Sequence, residues 1–588
     1  MLYPRESETR ELKDLCGIWE FKVDRKGSGR RERWQARPLV GTIPMPVPSS
    51  YNDITQDSSI RDHIGEVWYE RTFVVPASWE GKRVVLRFGS VTHHATVWVN
   101  GREAVSHKGG YLPFEADISA FVSYGAANRV SLAVSNVLDG TCIPPGKVVA
   151  DKYEWGTVTW QDYWFDFFSY SGIHRAVTLY TTPRAFIEDV TVRTDIKGAT
   201  GIVSCDTVVG GGRRNVHLRL LDASGREVAS GSGARCTLEV RNARFWAPGA
   251  AYLYTLEVTA LNGGSVEDVY RLSVGIRTVA VKGGRFLING APFYFKGVCK
   301  HEDADIRGKG LDHALNVKDC NLMKWMGANS LRTSHYPYSE EFMDLADREG
   351  FAVIDESPAV GCNFWDRKEF YKPGSDGVKR LAHHVDVMRD LVARDKNHPC
   401  VVMWSVANEP ASDHPSAREY FRRVVAATRK CDATRPVTMV MCRAVQKEQA
   451  GDFLDVVCVN KYNSWYWYPG RLEIAEPSML HELRLWHKRF RKPVFLTEFG
   501  ADTIEGFHSD PPVIFSEEYQ KAFYERYCAM LDKLDFIIGE HVWNFADFLT
   551  KQGITRVGGN RKGVFTRQRQ PKMAAHFLRE RWTKMETS

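Results

Sequence analysis

Residues 401–410 read VVMWSVANEP, a short apolar run that ends in a polar Asn-Glu-Pro triplet. Such a run, bounded by turn residues, is typical of a buried strand. Seven comparable runs lie on either side of it, and helix-like stretches separate them. They are FYFKGV (293–298), NSLRTSH (329–335), FAVIDES (351–357), PVTMVM (436–441), DVVCVNKY (455–462), PVFLTEFG (493–500) and IIGEHVWNF (537–545). Eight strands that alternate with helices predict a (β/α)8 TIM barrel over residues 277–588.

The sequence before this barrel has a different rhythm. Runs such as VWYERTFVVP (67–76) and ATVWVNGREA (95–104) alternate polar and apolar residues, with turn signals about every dozen residues. The pair Asn100-Gly101 tolerates positive φ and predicts a tight hairpin. We therefore expect a jelly-roll-like β-sandwich over residues 1–183. A second set of short strands predicts an immunoglobulin-like β-sandwich over residues 184–276, without the Cys-Trp-Cys pattern of true immunoglobulin domains.

Composition limits the classes of protein that this chain can represent. Its 588 residues, 17 of them Trp, require several hydrophobic cores, which excludes a hormone, a toxin or a lone binding module. The net charge of +7 is spread along the chain, so we expect no nucleic-acid partner. Charges near the start and the lack of a long apolar run predict neither secretion nor a membrane span. Twelve cysteines without CxxC pairs predict free thiols in the cytoplasm.

Two glutamates stand where a barrel places its chemistry. Glu409 follows the fourth predicted strand and Glu498 ends the seventh. Active sites of TIM barrels lie at the C-terminal ends of the strands, so the two side chains can meet there although 89 residues separate them. A single Glu at a strand end is commonly a salt-bridge partner. A pair of carboxyl groups is the arrangement that hydrolyses glycosides.

Longer strings carry a resemblance to a known family. NHPCVVMWSVANEP, TEFG and HVWNFADF, in the order sandwich, sandwich, barrel, resemble glycoside hydrolase family 2. Within that family FFSYSGIHR, GVCKHEDADIRGKG, LRTSHYPYSEEFMDLAD and GGNRKGVFTR are similar to the bacterial β-glucuronidase branch. The resemblance implies a retaining exo-β-glucuronidase that uses Glu409 as acid/base and Glu498 as nucleophile, and it implies no cofactor. It further implies a homo-oligomer, either a tetramer or a dimer.

The resemblance also assigns substrate-binding residues. Asn560 and Lys562 match the Asn-x-Lys motif with which that branch holds the sugar carboxylate, and a buried carboxylate needs such a cation and donor. Small glucuronides or oligosaccharide ends are the expected ligands. The other expected pocket residues are Asn408, Asp166, His335, Tyr462, Tyr466, Trp543 and Arg556.

Some alternatives stay open at this stage. A β-galacturonidase or a dual-specificity uronidase would use the same Lys562, and a degenerate barrel would only bind carbohydrate. HEDAD (301–305) has the composition of a metal cluster, yet retaining hydrolysis needs no metal and we expect none. The segment at 359–383 is shorter than the loop that some relatives place over the site, which predicts an open mouth suited to larger glucuronides. Whether Cys299 or Cys362 faces the pocket is undecided.

Overall fold

The computed structural model describes residues 1–362, 371 and 376–585. Two β-sandwiches precede a closed barrel of eight parallel strands, so the predicted fold class is confirmed. The first sandwich packs a four-stranded against a six-stranded antiparallel sheet around one hydrophobic core. In spatial order the four strands are Leu12–Asp14, Val177–Thr182, Arg83–Phe88 and Phe114–Asp117. The six strands are Ile43–Val47, Gly17–Val23, Glu66–Val74, Ala127–Ser135, His94–Val99 and Arg102–Lys108.

A two-residue turn sets the register of one pair of strands in this sandwich. Asn100 and Gly101 adopt φ of 51° and 77° between the paired strands His94–Val99 and Arg102–Lys108, which confirms the predicted hairpin. A second hairpin projects from the sandwich into solvent. Smaller elements complete the region: the strands Lys147–Tyr153 and Gly156–Asp162 of that hairpin, the pair Val91–Thr92 and Gly172–Ile173, and the helix Ser58–Arg61.

The second sandwich has its own core between a three-stranded and a four-stranded antiparallel sheet. Alternate side chains along its strands are buried, as Val203 and Cys205 show, which is the period-two pattern of a half-buried strand. The three strands are Phe186–Lys197, Thr200–Gly210 and Arg235–Val240. The four strands are Glu227–Ser232, Asn215–Leu221, Tyr254–Asn262 and Ser265–Val274.

The barrel is closed at its N-terminal end and polar at the other. A ribbon of Val279–Lys282, Arg285–Ile288 and Ala291–Pro292 covers the N-terminal end, where Phe286 contacts Phe295 of the first barrel strand at 4.9 Å. The eight barrel strands are Phe295–Cys299, Ser330–Arg332, Ala352–Glu356, Val401–Asn408, Val437–Met441, Val457–Asn460, Val494–Glu498 and Ile537–Val542. We number them one to eight in this order.

Helices surround the barrel, and side-chain caps define several of their starts. Ser339 Oγ accepts from Phe342 N–H at 3.2 Å, and Gly350 with φ of 73° ends the same helix. Within the described ranges, no helix combines the length and the apolar composition that crossing a membrane requires. The helices are His313–Trp325, Glu340–Glu349, Asp376–Asp395, Ala417–Cys431, Leu472–Phe490, Glu517–Leu531 and Met573–Lys584.

Both sandwiches contribute aromatic side chains to the hydrophobic cluster of the barrel domain. Trp246 of the second sandwich is fully buried in the barrel cluster and donates from Nε1 to the carbonyl of Asp347 at 2.8 Å. Phe165 and Phe167 of the first sandwich are buried in the same cluster, with ring centroids 4.4 Å apart. These two rings fix the position of Asp166 between them, so the first sandwich contributes a side chain to the barrel mouth.

We predict that Trp246→Ala destabilises the whole protein, because it leaves a cavity between two domains and removes a buried hydrogen bond. Truncation of a buried Trp costs about 3–5 kcal/mol. Val266→Ala is the control, since Val266 belongs to the same sandwich and is 57% exposed. Thermal unfolding followed by circular dichroism should give a clearly lower Tm for the first variant only. Equal Tm values for both variants would contradict this role of Trp246.

Candidate active site

Five of the eight barrel strands end in a polar or charged residue, and these five residues meet at one end of the barrel. Each of them is at most 4% exposed. A cavity of about 620 Å³ opens above them. The residues that end strands two, three, four, six and seven are Arg332, Glu356, Asn408, Asn460 and Glu498. These polar residues therefore lie at the end of the barrel at which TIM barrels carry their active sites.

The cavity brings together most of the predicted pocket residues. Glu409 and Glu498, which lie far apart in sequence, both line it. The other predicted residues in its wall are Asp166, His335, Asn408, Tyr462, Tyr466, Trp543 and Arg556. Asn560 and Lys562 are fully buried and lie behind this wall, in contact with Asp166 and Tyr466.

Arg332 is the central cation of the site. Its guanidinium is 0% exposed and donates from Nη1 to both carboxylate oxygens of Glu356 at 2.8 Å, and from Nη2 to Glu498 Oε1. Glu356 also accepts from Ser405 Oγ at 2.8 Å and lies 2.9 Å from His335 Nδ1. Burial alone would raise the pKa of Glu356, but Arg332 and His335 lower it below its ordinary value. Glu356 is therefore a permanent anion that anchors Arg332.

Glu498 has an environment that favours the carboxylate form. Arg332 contacts one of its oxygens, and the Tyr462 hydroxyl donates to the other at 2.7 Å. Burial raises the pKa of Glu498 more than Arg332 and the Tyr462 hydrogen bond lower it, the neighbouring Glu409 carboxyl raises it further, and the net pKa is about 8. Because the two carboxyl groups interact, they titrate as a pair and a proton bound to the pair is shared between them.

Glu409 differs from Glu498 in its hydrogen bonding. Its carboxyl group accepts from the amide of Asn460 at 2.9 Å, a neutral donor, and burial raises its pKa. Two donors, one of them charged, point at Glu498, so the shared proton belongs on Glu409. The backbone of Glu409 has φ of 48°, a left-handed conformation held by its N–H donating to Val440 O at 2.8 Å.

A cluster of opposite charges forms one end of the cavity. Lys562 Nζ pairs with Asp502 and donates to the Tyr466 hydroxyl at 2.9 Å. Asp166 accepts from Asn560 Nδ2 at 2.8 Å and from Arg556 Nε at 2.9 Å. The donors that the sequence assigns to a substrate carboxylate are thus held by carboxylates of the chain itself.

Aromatic rings complete the wall. Trp543 stacks on the His335 ring with centroids 4.9 Å apart, and it is 4% exposed, at the cavity edge. The Tyr462 and Tyr466 rings meet edge to face at 5.1 Å. A flat apolar face next to hydroxyl and imidazole groups is suited to a sugar ring.

The acidic side chains of HEDAD are engaged by arginines. Glu302 pairs with Arg175 at 3.2 Å, and both Asp303 and Asp305 contact Arg567 at 2.6 Å. Across the described residues, three potential metal-ligand side chains come together at Asp347, His398 and Cys400, which lie outside the cavity wall. There Asp347 raises the pKa of His398 to about 9 against the effect of burial, so the protonated ring pairs with the Asp347 carboxylate.

The remaining predictions concern two cysteines and a loop. Cys299 is buried below the cavity, where its Sγ lies 3.3 Å from Arg332 Nη2, and Cys362 is also buried. Neither is among the cavity-lining residues. The middle of the segment predicted to be short, 359–383, lies outside the described residues, which omit 363–370 and 372–375, so the open mouth stays a prediction.

Comparison with known proteins gives the family. The models for the TIM barrel domain, the sugar binding domain and a further domain of glycosyl hydrolases family 2 match residues 279–587, 12–183 and 185–277. The chain belongs to glycosyl hydrolases family 2. This confirms the family expected from the sequence strings.

Relatives in this family share the whole architecture. A β-glucuronidase from Paenibacillus borealis is 55% identical over 100% of this chain and 99% of its own length. A β-glucuronidase from Felis catus is 50% identical over 100% of this chain and 92% of its own. The structure of β-D-glucuronidase for Dictyoglomus thermophilum has a TM-score of 0.95 at 50% identity, covering 100% of this chain and 99% of its own. The β-glucuronidase from Ruminococcus gnavus in complex with D-glucaro-d-lactam has a TM-score of 0.94 at 40% identity, covering 99% of both chains.

Proposed function

We propose that this protein is a retaining exo-β-glucuronidase. One observation carries the proposal: the carboxyl pair Glu409 and Glu498 lines a cavity together with Arg556, and the Asn560 and Lys562 donors lie directly behind its wall, in contact with Asp166 and Tyr466. Two carboxyl groups can hydrolyse a glycosidic bond, and charged and amide donors can bind the carboxylate of an acidic sugar. Family 2 enzymes work with retention, and the β-glucuronidase relatives cover the full chain.

The two glutamates perform two steps. Glu498 attacks the anomeric carbon while Glu409 gives its proton to the glycosidic oxygen, and the aglycone leaves as an alcohol. The resulting ester removes the negative charge of Glu498, so Glu409 ionises more readily. Glu409 then takes a proton from water, the water oxygen attacks the anomeric carbon, and Glu498 is released as a carboxylate. Two inversions leave glucuronate in the β configuration.

Asn408 is placed to bind the sugar 2-hydroxyl. Its Oδ1 atom accepts from Arg332 Nη1 at 3.3 Å and from Asn460 Nδ2 at 3.2 Å. Both bonds fix the amide so that its NH2 group remains available to a hydroxyl in the cavity. His335 and Trp543 provide a further polar contact and a stacking face for the same ring.

The substrate carboxylate binds at the charged end of the cavity. Asp166, whose side chain is 43% exposed, accepts hydrogen bonds from Asn560 and Arg556. The substrate carboxylate takes over these donors as Asp166 turns toward solvent, and Tyr466 connects it to Lys562. The buried ion pair of Lys562 with Asp502 keeps the cation in place before substrate arrives.

Assembly, location and domain limits follow as further parts of the proposal. The projecting hairpin exposes Tyr153, Trp155 and Trp160, which supports a homo-oligomer, a tetramer or a dimer. All twelve cysteines are unpaired, which supports a cytoplasmic location. Domain limits at 183 and 276 are supported by the ends of the flanking strands, Val177–Thr182 and Ser265–Val274.

We predict that Lys562→Met lowers kcat/KM for 4-nitrophenyl β-D-glucuronide by about two to three orders of magnitude. Breaking a buried ion pair costs about 3–5 kcal/mol. Activity on the corresponding glucoside should fall much less, so the ratio between the two substrates is the readout. Lys533→Met, at an exposed position, is the control. An unchanged ratio would mean that the sugar carboxylate is held elsewhere, and comparable wild-type turnover of the galacturonide would indicate a dual-specificity uronidase.

We further predict that Tyr462→Phe moves the acid limb of the kcat/KM profile to higher pH by about one unit. The hydroxyl stabilises the Glu498 carboxylate, so its loss raises the pKa of that group, and more alkaline solution is needed to ionise the nucleophile. Tyr466→Phe is the matched control, because its hydroxyl contacts Lys562 and Arg556. A shift toward lower pH, or the same shift in both variants, would contradict this role of Tyr462.

A further inference from the structure

Arg443 lies in the wall of the active-site cavity, and its side chain makes no hydrogen bond to any residue that the structure describes. It follows the fifth barrel strand, Val437–Met441, and lines the cavity with a side chain that is 22% exposed. Among the described residues its only ion partner is Asp413, at 3.8 Å from Nε, and this Nε atom is shielded from solvent without an acceptor. A guanidinium carries five donors in a fork that matches a carboxylate or a sulfate. The site thus holds an under-bonded cation.

The position of Arg443 is on the aglycone side of the scissile bond. Strand five pairs with strand four, and Glu409 N–H donates to Val440 O at 2.8 Å, so Arg443 follows the strand that holds the proposed acid/base. Its charge lowers the pKa of Glu409, against the larger effect of burial. Glu409 protonates the oxygen of the leaving group. The donors for the glucuronate carboxylate belong to another segment, at Arg556 to Lys562.

Other charges of the same wall are already engaged. Lys461 pairs with Glu482, and Lys562, which lies behind the wall, pairs with Asp502. Arg556 contacts Asp166 at 2.7 Å. Among the lining residues that the structure describes, Arg443 is therefore the cation whose donors remain available to a ligand.

Two exposed aromatic rings extend the cavity beyond the sugar. Trp467 is 69% exposed and Tyr468 is 63% exposed, yet both line the cavity. Their backbone is held in a tight turn in which Ser464 N–H donates to Trp467 O at 2.6 Å. Large exposed rings beside a binding cavity provide stacking faces for a planar or pyranose ring. A cavity of about 620 Å³ accommodates more than one ring.

We propose that Arg443 and the rings of Trp467 and Tyr468 form an aglycone subsite, which selects glucuronides whose aglycone is a ring bearing a carboxylate or a sulfate. The anion pairs with the Arg443 guanidinium, and the ring stacks on the exposed aromatic face. This inference rests on the proposed β-glucuronidase function and names its substrate class. An acidic sugar unit and an aromatic acid share this chemistry.

The test compares substrates that differ in charge and little else. 4-(Carboxymethyl)phenyl and 4-(carbamoylmethyl)phenyl β-D-glucuronide have leaving groups of similar acidity, so the ratio of their kcat/KM values isolates the anion. Wild type should prefer the acid by about tenfold at low salt, the equivalent of one hydrogen-bonded charge pair. Arg443→Met should reduce the ratio to about one, Arg443→Lys should retain part of it, and the exposed control Arg422→Met should keep it.

Two further experiments are needed. One distinguishes acidic sugars from aromatic acids as the aglycone, and the other separates the aglycone subsite from the proposed glucuronidase function. A glucuronyl disaccharide ending in a sulfated or carboxylated sugar, compared with its neutral analogue, shows whether acidic sugars gain as much as aromatic acids. Hydrolysis of both aryl substrates at equal rates, unchanged in Arg443→Met, would overturn the subsite while leaving the glucuronidase function intact. Failure to hydrolyse the neutral aryl glucuronide would instead overturn the proposed function.

Discussion

The site depends on one buried guanidinium that joins two carboxylates. Arg332, on the second barrel strand, binds Glu356 of the third and Glu498 of the seventh, and its Nη1 also reaches Asn408 of the fourth. A buried charge is tolerated only when it is paired and hydrogen-bonded. Here the Arg332 guanidinium is the charged donor for both carboxylates, and they are its acceptors. Because each of these residues ends a barrel strand, closing the barrel also brings them together in the site.

This arrangement supports the different roles that we propose for the two glutamates. Glu498 receives a charged donor and a hydroxyl, whereas Glu409 receives one amide. The first environment favours an anion and the second a protonated acid. The sandwiches matter to the same chemistry, because Phe165 and Phe167 carry Asp166 from the first sandwich to the charged end of the cavity.

The sequence predicts the barrel and the carboxyl pair, because apolar runs and strand-end residues are local patterns. The sequence does not single out Arg332, Glu356 or Asp502. Each is a single charged residue in its own segment, and the residue that it pairs with lies on another strand or loop. Their local signal was a charge in or directly after an otherwise buried run, in LRTSH, FAVIDES and TEFGAD. Asn560 and Lys562 belong to the expected loop, yet they lie behind Asp166 and Tyr466, a depth that depends on packing between domains.

In the proposed mechanism Glu498 forms a covalent bond to the sugar and Glu409 does not. Incubation with a 2-deoxy-2-fluoro-β-D-glucuronyl fluoride slows the second step and accumulates the intermediate. Peptide mass spectrometry after digestion then locates the label. The account predicts one fluoroglucuronyl group per chain, attached at Glu498 and lost on reactivation in water. A label at Glu409, or inactivation without any covalent label, would contradict it.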